Sequence, residues 1–161
     1  MIKIVKFSIA IALALLLQVT VFPVYLEDSF RPNLLMVAVV YLGLRVTMRG
    51  GWCLAFFIGL LQDCFSGLYL GLNGFTFLAI YLFLKTVADY LYADSRFLML
   101  LVVFVATVVS GLLQLLLLLL YSTADGLYAT LLPQLLPQAL VNTLCASLLT
   151  LYSAPKPAEE A

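Results

Sequence analysis

From Phe97 to Tyr121 the chain reads FLMLLVVFVATVVSGLLQLLLLLLY, without one Asp, Glu, Lys or Arg. A helix needs about 20 predominantly apolar residues to cross the hydrocarbon of a bilayer, and this run is long enough. The rest of the chain is of the same kind. Its 161 residues are 65% hydrophobic and 10% charged, with a mean hydropathy of +1.17, whereas soluble domains carry about 25% charged side chains. A soluble fold of this size has too little interior to hide so much apolar surface, so the sequence reads as an integral membrane protein. Net charge is zero, which offers nothing to nucleic acid and makes the position of each charge the informative quantity. Histidine is absent, and Cys53, Cys64 and Cys145 are scattered without CxxC spacing, which argues against a metal site or a disulfide framework. No cofactor is expected.

The composition resolves into six spans in one domain, residues 1–153, with 154–161 as a short polar tail. The first span is expected over Ile4–Val24, closed by Pro23. Its basic start resembles a signal peptide, but no small-x-small cleavage site follows, so it reads as a retained helix. The loop YLEDSFRPN (25 to 33) leads to a short second span over 32 to 48, with Pro32 in its first turn, where a missing N–H does no harm. MRGG (48 to 51) reads as a turn, and the third span starts at Trp52 and is expected to break near Asp63. The fourth runs from Gly74 to Val87, ADYLYADSR (88 to 96) is a loop, the fifth is Phe97–Tyr121, and STADGLYAT (122 to 130) is another loop. Pro133 and Pro137 predict a kink or interfacial turn before the straight part of the sixth span, which ends near Tyr152. GLLQ occurs at 59 to 62 and at 111 to 114, a match too short in a leucine-rich chain to mark a duplication.

Six spans place both termini on one side. Lys3, Lys6, Arg45, Arg49, Lys85, Arg96 and Lys156 all fall on that side and only Arg31 on the other, so the positive-inside rule makes it the cytoplasm. Tyrosines cluster near both boundaries, as an interfacial belt requires. Tyr41 and Tyr81 are mid-helix exceptions whose hydroxyls are expected to find partners within the bundle.

Asp63 is the one acid at membrane depth, about 16 Å of helical rise beyond Trp52. A carboxylate there costs roughly 3 kcal/mol on insertion scales, and serine and glycines follow at once in GLLQDCFSGLYLGLNG. Backbone that leaves helical geometry in hydrocarbon must have its N–H groups satisfied, and a carboxylate accepts them as a helix cap does. The reading is that Asp63 braces a break, in which case Asp63→Asn is tolerated. Gly67 and Gly71 form a GxxxG pair suited to close backbone approach. Ala10, Ala14 and Gln18 share one face of the first span; Thr107, Ser110, Gly111 and Gln114 one face of the fifth; Gln134, Gln138, Asn142 and Ala146 one face of the sixth. Such small and amide stripes pack helices in lipid. Catalysis is not expected: intramembrane aspartyl chemistry needs a second carboxylate, and serine chemistry needs a base that no span supplies.

RPNLLMVAVVYLGLR (31 to 45), then GLLQD (59 to 63), then SGLYLGLNG (66 to 74) resemble the rod shape-determining protein MreD family, and length and six-span layout match over nearly the whole chain. Asn33 stands where that family often has aspartate. The resemblance implies a non-enzymatic component of the bacterial cytoplasmic (inner) membrane. It would bind an MreC-like bitopic protein and, through it, the MreB filament, RodA and its class B transpeptidase, so that lateral peptidoglycan synthesis follows the cylinder. It also implies a fold like the substrate-binding subunits of energy-coupling-factor transporters, and a solute-binding subunit of a vitamin transporter is the alternative function. Arg31, Pro32, Asn33, Gly59, Asp63, Gly67, Gly71 and Asn73 are the residues expected to shape the partner-binding region.

Overall fold

In a medium without water every backbone N–H must be satisfied inside its own segment, and the apolar segments accordingly form helices. The computed structural model describes residues 2–27, 30–45, 50–66, 69–88, 96–121 and 127–152, and no strand occurs among them. Helix α1 comprises Ile2–Leu16, a π-helical stretch Leu17–Val21 and a last turn Phe22–Tyr25. Then follow α2 (Leu34–Arg45), α3 (Gly51–Ser66), α4 (Leu72–Val87), α5 (Arg96–Tyr121) and α6 (Leu127–Tyr152). Helices α3 and α4 run antiparallel: Gly59 and Asp63 late in α3 meet the start of α4, and Gly51 at the start of α3 meets Tyr81 late in α4.

Several boundaries differ from expectation for local reasons. Pro23 does not close α1 but sits in its last turn. The π stretch just before it, where the Phe22 N–H reaches back to the Leu17 carbonyl, widens the turn against which a proline ring would otherwise clash. Pro32 precedes α2 instead of entering its first turn, because Asn33 takes the capping position: its Oδ1 accepts the Met36 N–H at 3.0 Å. Helix α3 does not break at Asp63. It continues to Ser66, whose hydroxyl donates to the Asp63 carbonyl. Helix α6 runs without interruption through Pro133 and Pro137 from Leu127, so the last residues of the expected 122–130 loop are helical; transmembrane helices tolerate proline where neighbours re-satisfy the freed carbonyls.

Helix α2 is the centre. It packs against all five other helices, and Leu35, Met36, Val37, Val39, Val40 and Leu42 are each at most 1% exposed. A helix apolar on every side is a buried one. Helix α5 shows the opposite pattern from a soluble amphipathic helix. Thr107 and Ser110 are buried while Leu101, Val105, Val109, Leu112 and Leu116 are exposed, as lipid demands. The mid-helix hydroxyls of Thr76, Thr107 and Thr143 bond carbonyls four residues back, which removes the cost of burying them. Tyr81 is buried with its ring end over Gly51, which leaves room for it.

Candidate functional site: the Asp63 corner

The sequence GLLQD places Gly59 and Asp63 one helical turn apart on the same face of α3. That face meets the start of α4. A Cβ on Gly59 would stand 2.5 Å from the Asn73 carbonyl oxygen and 2.6 Å from Gly74 Cα, so only glycine lets the two backbones come this close. One turn further, the Asp63 carboxylate receives the N-terminal N–H groups of α4. Oδ1 accepts the Asn73 backbone N–H at 2.9 Å and the Asn73 side-chain Nδ2 at 2.8 Å. Oδ2 accepts the Gly71 N–H at 2.9 Å and the Gly74 N–H at 3.1 Å. Helix α4 has no side-chain cap of its own, since its capping residue is Gly71, held at φ 100°, a conformation that costs other L-residues roughly 1–2 kcal/mol. Asp63 is thus a cap supplied from the neighbouring helix. It also sits at the positive end of the α4 dipole, which favours a negative charge.

The corner is tied to the rest of the bundle by one further link. Asn73 Oδ1 accepts from Gln114 Nε2 of α5 at 2.8 Å, so a carboxylate, two carboxamides and three backbone N–H groups form one network. A second knot holds the start of α2. Asn142 Oδ1 on α6 accepts the Asn33 backbone N–H at 2.7 Å, and Asn142 Nδ2 donates to Thr107 Oγ1 on α5 at 3.2 Å. Beside it, Arg31 donates to the carbonyls of Leu26 and Pro23 at 3.3 and 3.5 Å, closing the last turn of α1, where a cation complements the helix dipole. The carboxamide oxygens of Gln18 and Gln62 are buried without a partner among the described residues.

The residues singled out in the sequence divide accordingly. Gly59, Asp63, Gly71 and Asn73 come together at the corner; Asn33 belongs to the second knot, with buried Pro32 and half-buried Arg31 adjoining it. Gly67 lies outside the described residues. Asp63 braces the start of the next helix rather than a break in its own. Gly74, Gln114, Asn142 and Thr107 were not among the expected site residues. Three of them were visible as members of packing stripes, but a stripe does not name its partner, and Gly74 carried no signal beyond its composition.

A carboxylate offers about four lone-pair positions, and all four at Asp63 are filled by N–H donors from the chain. Among the described residues no group of three or more His, Cys, Asp or Glu side chains could hold a metal ion. Two helices, Phe97–Leu120 and Leu132–Leu151, are long and apolar enough to cross a membrane unaided. No curated protein and no solved structure matches the chain. A sequence model of a family described as rod shape-determining protein MreD matches residues 1–153. Nearly the whole of this membrane protein is covered by that match, including both polar knots, and the chain belongs to the MreD family of rod shape-determining proteins.

Proposed function

We propose that the protein is a non-enzymatic scaffold and regulator of the bacterial cell-elongation complex. It would bind an MreC-like bitopic partner and link it, through the complex, to the MreB filament, RodA and a class B transpeptidase. Family membership supports a role in rod shape. The observation that carries the scaffold reading is the saturation of Asp63: the one acid at membrane depth has its acceptor positions occupied by Gly71, Asn73 and Gly74, leaving nothing for a substrate, ion or proton relay. Four amides are engaged as well: Asn33, Asn73, Gln114 and Asn142 bond one another, Thr107 or the backbone, whereas a solute pocket needs convergent polar groups that are free to turn to a ligand. The protein lies in the cytoplasmic membrane with both termini in the cytoplasm, a placement supported by the sequence, in which seven of the eight Lys and Arg residues fall on one side of the six expected spans. Arg31, Pro32, Asn33, Gly59, Asp63, Gly71 and Asn73 then shape the outward end, and Gly67 is assigned to the same corner on sequence alone.

The test is co-purification of the tagged full-length protein, after mild solubilisation, with the MreC-like protein of the same cell. Recovery of that partner in near-stoichiometric amount is the expected result. Retention of a vitamin with no such partner would replace the scaffold by the transporter subunit.

A further inference from the structure

Helix α6 carries two prolines one turn apart, Pro133 and Pro137. Neither has an N–H to give, so the carbonyls of Ala129 and Pro133 lose their intrahelical donors. Both gaps fall on one face, and a helix bends where its ladder is interrupted in this way. Each proline ring also crowds the carbonyl four residues back, so the bend leads away from the proline face. Leu135 stands about 200° round the helix from Pro133, on the side towards which the segment bends. Its side chain fills a notch in α5, where a Cβ on Gly111 would overlap Leu135 Cδ2.

The two parts of α6 are held differently. Beyond the prolines Ala139, Asn142 and Ala146 are buried, and Asn142 pins the helix to the Asn33 N–H of α2 and to Thr107 of α5. Before them Leu132, Pro133 and Leu136 are exposed, and Gln134 and Leu135 are half-buried. We propose that residues 127–136 form a hinged lid on Pro133 and Pro137. Bent, the lid lies against α5 with Leu135 latched on Gly111; straightened, it withdraws Leu135 and uncovers the Gly111 notch. A change of about 20° in the bend carries Ala129, about 12 Å from Pro137 along the axis, through about 4 Å. The hinge is a property of this chain alone and is independent of the partner proposed above.

Distances between paired spin labels test it. In the full-length protein, Cys53, Cys64 and Cys145 are replaced by alanine and the chain is reconstituted in lipid nanodiscs. Labels at Ala129→Cys and Leu61→Cys read the lid; labels at Leu148→Cys and Phe57→Cys read the pinned part of α6. Leu61, Leu148 and Phe57 are exposed positions. The lid distance is expected to be at least about twofold broader in distribution than the pinned one. Pro133→Ala with Pro137→Ala should narrow it to the width of the pinned pair, and Leu135→Ala should move it to longer distance. The Leu148 to Phe57 distance stays the same in each variant and reports that the bundle is intact. Equal widths for the two pairs overturn the proposal, as does a lid distance that remains broad without the prolines. An unchanged distribution in Leu135→Ala overturns the latch.

Discussion

Asp63 is 5% exposed and receives four N–H donors, which makes it sensitive to a change that preserves shape. Asparagine would replace one acceptor oxygen by an NH2 group that faces either the Gly71 and Gly74 donors or the two Asn73 donors. The tolerance of Asp63→Asn expected from a simple capping role does not survive this geometry. Leaving buried donors unmatched costs about 1–3 kcal/mol each, not additively, so Asp63→Asn should lower stability by about 1–3 kcal/mol and Asp63→Ala by more. Unfolding of the purified variants in detergent, followed by circular dichroism, measures both; wild-type stability in Asp63→Asn would refute the converging-donor description. The type of residue needed was legible: one acid in an apolar run must be satisfied, and glycines stood nearby. Its partners were not, since nothing in the run says that the N–H groups it meets lie eight to eleven residues ahead, at Gly71, Asn73 and Gly74.

Between elements, the α3–α4 hairpin depends on two glycines for different reasons. At Gly59 an added methyl collides with the backbone of Asn73 and Gly74, which has no rotamer by which to yield; overpacking of this kind costs about 1–3 kcal/mol or more. At Gly71 an added methyl would meet only the Phe75 ring, at an ordinary contact of 3.8 Å, but φ is 100°, so Gly71→Ala should cost roughly 1–2 kcal/mol through the backbone alone. Gly59→Ala and Asp63→Asn act on one docking contact, and their combined effect should fall well short of the sum of the two, whereas Gly59→Ala should add to a lipid-facing change such as Leu148→Ala. Thermal unfolding of single and double variants distinguishes these outcomes. The hairpin itself was readable from length and glycine placement. The exact end of α3 was not, because helix propensity cannot distinguish a carboxylate that ends its own helix from one that starts the next.

For the whole molecule the organising fact is that the shortest of the six helices is also the most enclosed. Helix α2, 12 residues long, touches every other helix, and its start is held by Asn33. Amide exchange should therefore be slowest at Val39, Val40 and Leu42 and faster in α1, whose Ile9, Leu13 and Leu16 are exposed on the outside of the bundle; the most protected unit is the one whose exposure requires opening the whole bundle. Exchange mass spectrometry in detergent or nanodiscs reads this directly, and an α2 that exchanges as fast as α1 would remove it from the centre.

Sequence alone determined the solvent, the number of apolar segments and the polar stripes on α5 and α6, because these follow from composition and period along the chain, and in lipid every segment must satisfy its own backbone. Only the tertiary structure decided that Asn142 would hold the start of α2, 109 residues earlier in sequence, that Gln114 would reach Asn73, and that α2 would be the core. The physical reason is that helix faces in hydrocarbon are chosen by shape and by a few directional hydrogen bonds. Several faces of this chain carry small and amide residues of nearly equal chemistry, and only their positions in space rank them.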